Sequence, residues 1–230
     1  MSEEGDSGPK YVFFTVDGET KDTSRDYTGF ATATYPDGEI YEGYFVEGKR
    51  EGKGTYRYIN GDVYTGNFVD NKKHGLGTLT YSGFGEYKGF WENGRRHGEG
   101  IFKYFKTNDS YSGWWKFGQK QGTGTYCFAQ TGQKIYGEWE DGKVIKGTWT
   151  YPNGISYEGG FNNNKPDGTG VWTLASGKCK GSHTQKVEEP DPDAPEPEEG
   201  EEPPKAKINL TWTSDLGIAE SSDGINAIER

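Results

Sequence analysis

The chain has 230 residues, a formal net charge of −10, 37 glycines and an aromatic share of 15%, yet only 30% of it is hydrophobic. That apolar share lies well below the roughly half usual for a globular domain, which excludes a large conventional core. Divided by segment, the charge is −4 over residues 1–26 (3 basic, 7 acidic), +3 over 27–183 (19 and 16) and −9 over 184–230 (4 and 13), so no concentrated basic surface offers itself to a nucleic acid.

The first segment, residues 1–26, opens Met1-Ser2-Glu3-Glu4-Gly5-Asp6, without a basic start or an apolar stretch of signal-peptide type. No run in the chain approaches the ~20 apolar residues that cross a bilayer, so a soluble, intracellular protein is expected. Within this segment Tyr11-Val12-Phe13-Phe14-Thr15-Val16 is expected to form a strand that caps the first edge of the repeat array.

Residues 27–183 form that array. The pattern is Tyr-x-Gly-x-aromatic, a turn, Gly-x-Gly, an aromatic strand and a second turn, with clear copies starting at Tyr41, Tyr64, Tyr87 and Tyr111 and weaker ones at Ile135 and Tyr157. Counting a remnant at Lys180, the starts are spaced by 23, 23, 24, 24, 22 and 23 residues, and each deviation falls in a turn. Tyr41, Gly43 and Phe45 share one face of a strand, as do Gly54, Tyr56 and Tyr58 on the next. Turn residues such as Pro36-Asp37-Gly38 and Asn60-Gly61 supply the reversals, and an aromatic side chain lying across each strand glycine covers its bare backbone. Single hairpins are unstable in water, so the repeats must stack. The fold class expected is all-β: an elongated single-layer solenoid of stacked β-hairpins.

The hairpin loops place Lys49-Arg50, Lys72-Lys73, Arg95-Arg96 and Lys120 at one point of successive repeats. A basic stripe along one edge is expected, a candidate site for an acidic partner or anionic lipid. His74 and His97 are also equivalent, but Glu51 and Gln121 fill the same slot and nothing completes a metal-ligand set. The Gly-x-Gly pairs open no helix and precede no Gly-Lys-Ser/Thr, so they are not phosphate loops. Cys127 and Cys179 have neither metal-ligand spacing nor a recognisable base, and no motif for nucleophilic catalysis occurs.

Residues 184–207 read as an acidic, disordered linker: positions 188–204 hold nine acidic groups, no basic group and six of the ten prolines. Residues 208–230 form a tail in which Ile208-Asn209-Leu210-Thr211-Trp212 alternates apolar and polar. Two arrangements fit it, a docking peptide presenting Ile208, Leu210 and an exposed Trp212 to a partner's sheet edge, or a strand packed on the chain's own last repeat.

Taken together, Tyr-x-Gly-x-aromatic followed by Asn/Asp-Gly-Lys/Arg-x-x-Gly-x-Gly-x-aromatic resembles the MORN repeat over about residues 29–183. Within that family the stretch 48–170 is most similar to the MORN subunits of the ciliary radial spoke head, notably Asn71-Lys72-Lys73-His74-Gly75, Asn108-Asp109-Ser110-Tyr111-Ser112-Gly113 and Thr131-Gly132-Gln133-Lys134. The departures are Lys146, where a glycine is lost, and Ile135, where the tyrosine is lost. The resemblance implies a non-enzymatic scaffold in the axoneme of motile cilia or flagella, without cofactor or small-molecule substrate. Its implied partners are other radial-spoke head proteins, with a second copy of the chain as a further candidate. Peripheral tethering to anionic lipid through the basic stripe is the alternative, against which the body's charge of only +3 weighs.

Overall fold

The computed structural model describes residues 10–188, 207–215 and 219–221, all of them in strands, turns or connecting segments, with no helix. The chain divides after Thr131 into two compact units. Unit 1 holds β1 (Val12–Thr15), β2 (Thr20–Lys21), β3 (Gly29–Thr34), β4 (Ile40–Val46), β5 (Lys49–Arg57), β6 (Val63–Val69), β7 (Lys72–Tyr81), β8 (Gly85–Glu92), β9 (Arg95–Tyr104), β10 (Ser110–Lys116) and β11 (Gln119–Cys127). Every pairing is antiparallel; β3 through β11 pair in sequence order, and β1 lies between β3 and β2. The expected capping strand is therefore in place at the N-terminal edge.

Unit 2 holds β12 (Lys134–Glu140), β13 (Lys143–Thr150), β14 (Ser156–Asn162), β15 (Lys165–Leu174), β16 (Gly177–Glu188), β17 (Lys207–Ser214) and β18 (Ala219–Ser221), again antiparallel and in order. Here the sequence boundary needs correcting. The last strand of the array runs on through Glu188, five residues into the stretch read as linker, because Thr184–Glu188 pair with Lys207–Thr211. The rest of that stretch, 189–206, lies outside the described residues.

The sheet is organised by a row of glycines. In unit 1, Gly43, Gly54, Gly66, Gly77, Gly89, Gly100, Gly113 and Gly124 face one another in unbroken register across eight strands. Each repeat tyrosine lies across this row, and its hydroxyl donates to the backbone carbonyl three residues on: Tyr41 to Tyr44 at 3.0 Å, Tyr64 to Asn67 at 3.0 Å, Tyr87 to Phe90 at 2.9 Å and Tyr111 to Trp114 at 3.1 Å. Tyr157 repeats the bond in unit 2, to Gly160 at 3.2 Å. Tyr27 makes it too, to Phe30 at 2.9 Å, which extends the motif one step before the first copy read from the sequence. A Cβ on Gly100 would come within 2.6 Å of the Tyr87 ring, so only glycine leaves room for the ring.

Beside the glycines runs an aromatic ladder. Phe45, Tyr41, Phe68, Tyr64, Trp91, Tyr87, Trp115 and Tyr111 meet edge to face in that order, with centroids 5.0–5.3 Å apart and planes 79–90° apart. All eight side chains are buried. Edge-to-face contact sets the positive ring edge against a neighbour's negative face, so the ladder adds specific attraction to the burial itself. The tryptophans that replace phenylalanine satisfy their extra donor: Trp91 Nε1 donates to Gly77 O and Trp115 Nε1 to Gly100 O.

Hairpins within repeats close through two-residue turns with both φ angles positive, at Glu47-Gly48, Asp70-Asn71, Asn93-Gly94, Phe117-Gly118, Asp141-Gly142 and Asn163-Asn164. This is the type I′ geometry that matches strand twist, and Asn, Asp and Gly tolerate it best. Phe117 is the outlier, a bulky residue at φ 51° whose ring is largely exposed.

The C-terminal strand decides between the two arrangements left open for the tail. Trp212 is buried, correcting the exposed position expected for it, because β17 pairs with β16 and sets the indole 4.7 Å from the His183 ring. Trp172 Nε1 donates to His183 Nε2 at 3.1 Å, so the imidazole is neutral with its proton on Nδ1, an atom with no hydrogen-bond partner among the described residues. Burial holds the His183 pKa down to about 4.

Stability should respond to both features. Gly100→Ala should lower the urea midpoint by an amount equivalent to about 1–3 kcal/mol through overpacking, whereas Phe117→Asn should raise it by relieving about 1 kcal/mol of left-handed strain. Because folding favours the neutral imidazole, the unfolded chain binds the extra proton: the His183 contribution to stability is full above pH ~6.5 and is lost as pH falls towards about 4. Urea titrations across that window should show the decline, and His183→Leu should flatten it.

Candidate functional site

The residues of the basic stripe begin strands, and successive strand residues point to opposite faces. The structure accordingly splits each pair. Lys49, Lys72 and Arg95 are exposed, and Lys49 Nζ sits 2.6 Å from Asp70 Oδ1 in a surface ion pair of little energetic weight. Arg50, Lys73, Arg96 and Lys120 instead turn onto the aromatic face and are half-buried. Alternation would have revealed the split had these residues been read as strand rather than turn.

Each inward cation lies over several rings. The Arg50 guanidinium is 4.9 Å from the Tyr56 centroid and 5.8 Å from those of Tyr35, Tyr41 and Phe68. Lys73 Nζ is 4.8 Å from Trp91, 5.4 Å from Tyr58 and 5.6 Å from Tyr64, and it donates to the Tyr58 hydroxyl at 3.2 Å. Arg96 is 4.4 Å from Trp115, and Lys120 is 4.8 Å from Tyr126. Cation–π attraction of roughly 0.5–2 kcal/mol per site accompanies this burial.

The cations also lock neighbouring repeats together. Asn71 N donates to Arg50 O while the Arg50 guanidinium donates to Asn71 O at 3.0 Å; Gly118 N and Arg96 form the same reciprocal pair, the side-chain bond being 2.6 Å. A guanidinium thus ties its own strand to the turn of the following repeat. In unit 2 the equivalent residues are Val144 and Pro166, both buried, so the cation row belongs to unit 1. The shortened loop at Lys143–Lys146 accompanies the change: Trp139 pairs with Val144 and Glu138 with Lys146, leaving a smaller bulge than in the other repeats.

Burial lowers the Lys73 pKa and pushes that of Lys120 down to about 8, with repulsion from Arg96 adding to the Lys120 shift. Lys73, Arg95 and Arg96 line a groove of about 420 Å³ together with Tyr58, Tyr81, Trp91 and Asp62.

The opposite face of the same strands carries a second feature that sequence reading passed over. Tyr44, Leu76, Phe90 and Trp114 are all 46–58% exposed, standing out from strands whose alternate residues are buried or half-buried. Leu76 and Phe90 are direct cross-strand partners, as are Phe30 and Tyr44, whose rings meet edge to face. The signal was present in the middle positions of the Tyr-x-Gly-x-aromatic and Gly-x-Gly motifs, which vary between repeats and so carry no period of their own.

The remaining candidate residues are placed as follows. Ile208 and Leu210 are half-buried in β17, within the chain's own sheet beside Trp212. His74 is exposed, while His97 Nδ1 lies 3.3 Å from Glu92, and among the described residues no group of three potential metal ligands lies together.

The MORN repeat family matches this chain at residues 41–63, 64–84, 87–106, 111–132, 136–156 and 157–179. No curated protein matches it. Among solved structures it is similar to the TCP domain of Drosophila melanogaster SAS-4 in complex with a proline-rich motif of Ana2, at 17% identity over 67% of this chain and 86% of that chain, with a TM-score of 0.42. It is also similar to the TCP10c domain of Drosophila melanogaster Sas-4, at 17% identity over 67% of this chain and 95% of that chain, with a TM-score of 0.38.

Because Lys120 loses its proton far below the usual lysine range, its side-chain 13Cε resonance should titrate with a midpoint near pH 8; Arg96→Gln, by removing a neighbouring positive charge, should move that midpoint upward.

Proposed function

Since the chain belongs to the MORN repeat family, we propose that it is a non-catalytic structural scaffold, a subunit of the ciliary or flagellar radial spoke head that holds neighbouring head subunits and supports motility. The observation that carries the scaffold reading is the division of labour between the two faces of unit 1. One face is filled by its own aromatic ladder and cations, while the other leaves Tyr44, Leu76, Phe90 and Trp114 open to solvent on a backbone locked by consecutive pairing. Large exposed aromatics on a rigid surface are what protein interfaces use as anchors. Assignment to the spoke head rests on the sequence resemblance in stretch 48–170. Supporting a protein partner over a lipid one, the inward turn of Arg50, Lys73, Arg96 and Lys120 removes half the stripe from any flat anionic surface, and Asp70 offsets Lys49.

The test is fractionation of isolated cilia. After detergent stripping, the protein should stay with the axoneme and leave it in salt together with the spokes, and Phe90→Asp with Trp114→Asp should release it early while its circular dichroism stays unchanged. Loss into the detergent-soluble membrane fraction would overturn the reading.

A further inference from the structure

The outer face of β7 to β10 carries more than its apolar anchors. Leu76 and Phe90 are direct partners across β7 and β8, and Glu99 and Trp114 are direct partners across β9 and β10. The bulge of the β8–β9 ladder joins the two pairs by setting Phe90 against Gly98, the residue before Glu99. Four exposed side chains therefore stand in line across four consecutive strands. With strands ~4.8 Å apart, Phe90, Glu99 and Trp114 lie about 4.8, 9.6 and 14.4 Å from Leu76. The two aromatic anchors are seated on glycine: a Cβ on Gly98 would meet Phe90 Cβ at 3.4 Å, and one on Gly122 would meet Trp114 Cβ at 3.6 Å. With no side chain beside them, both rings stay about half exposed.

Charge on this face is only partly matched within the chain. Glu92 stands directly opposite Arg95, and Glu86 opposite Lys103. Lys72 faces Val69, Lys88 lies between Thr78 and Ile101, and Lys116 faces Gln119; all three lysines are exposed. Among the described residues neither these lysines nor Glu99 lies within ion-pair distance of an opposite charge. The face is thus an apolar line with one carboxylate in it, bordered by Lys88 on one side and by Lys72 and Lys116 on the other. The same face of a second copy would set lysine against lysine, and an anionic membrane would receive Glu99 in the middle of the inserted anchors.

Each of β7 to β10 is paired on both sides, so no free edge is open to an added strand and a partner must read the face by its side chains. An extended or polyproline chain advances ~3.1–3.4 Å per residue, which puts Phe90 and Trp114 between its residues rather than opposite them. A helix rises ~1.5 Å per residue, so residues i, i+3, i+7 and i+10 fall about 0, 4.5, 10.5 and 15 Å along its axis and share one side. We infer that this face takes an amphipathic α-helix of a partner protein, with apolar residues at i, i+3 and i+10, a lysine or arginine at i+7 opposite Glu99, and aspartates or glutamates along its flanks opposite Lys72, Lys88 and Lys116. The inference rests on the scaffold reading of this face and adds the chemistry of the partner; it does not depend on the assignment to the spoke head.

The test uses the full chain and a phage-displayed library of random segments about 20 residues long, enough for about 30 Å of helix. The library is depleted on the variant Phe90→Asp with Trp114→Asp and then selected on the wild-type chain. The enriched sequences should carry the apolar, basic and acidic positions at helical spacing, and a synthetic peptide of the strongest should gain helical circular dichroism on binding. Lys72→Glu with Lys88→Glu should weaken that peptide about 10-fold, and so should Glu99→Lys. Exchanging the peptide's basic residue for glutamate should restore binding to the Glu99→Lys chain, with circular dichroism confirming that each variant is folded. Enrichment of proline-rich or alternating sequences, a bound peptide that stays non-helical, or charge reversals without effect would overturn the helix and leave the scaffold reading standing. A selection in which nothing depends on Phe90 and Trp114, or a wild-type chain that binds phosphatidylserine vesicles through those two residues, would overturn both.

Discussion

The structure depends on one close approach: a tyrosine ring laid flat over facing glycines. Glycine pairs weaken a sheet, since they cost backbone entropy and offer no side chain to pack. Here the tyrosine covers two such glycines at once, and its hydroxyl holds the bulged strand through the carbonyl three residues on. What would be the weakest line of the sheet becomes the seat of its core. The chain consequently builds a buried layer one ring thick with far fewer aliphatic residues than a globular domain needs.

On top of that layer the cations act as a lid. Arg50, Lys73, Arg96 and Lys120 shield the rings with their aliphatic stems and keep their charges over the ring faces, so a thin sheet gains a second covering without a second layer of backbone. The two arginines donate to the next turn, whereas Lys73 donates to the Tyr58 hydroxyl. Arg and Lys are therefore not interchangeable at these positions: Arg50 and Arg96 clamp a turn, while Lys73 fills the space over its rings. Where Val144 and Pro166 replace them, in unit 2, the lid becomes apolar and the charge pattern ends.

Most of this architecture was legible in the sequence because the period was. The phase of Tyr41, Gly43 and Phe45 gave the buried face, and the Asn, Asp and Gly pairs gave the turns. The failures have specific causes. Lys49-Arg50 and its equivalents looked like turn residues because two charges in a row are typical of loops, whereas the I′ turn is complete one residue earlier and the pair already belongs to the strand. Trp212 looked exposed because most of the ladder that seats it opposite His183, through Thr184–Glu188, falls in the stretch whose composition reads as linker. Tyr27 escaped because Ala31 stands where the second aromatic of Tyr-x-Gly-x-aromatic would be.

The order of the strands also bears on how the molecule assembles. Within each unit nearly every ladder joins strands adjacent in sequence, so each can form as soon as its own turn closes, and contact order stays low for an all-β protein. The β16–β17 ladder differs, since its turn is replaced by the 18-residue excursion between Glu188 and Lys207. A chain emerging from the ribosome can therefore zip hairpin upon hairpin until it reaches Glu188, and then must wait for a further stretch of synthesis before Trp212 can shut the aromatic end of unit 2. Until then His183 and Tyr157 remain an open, sticky edge, the point at which a nascent or truncated chain is most exposed to misassembly.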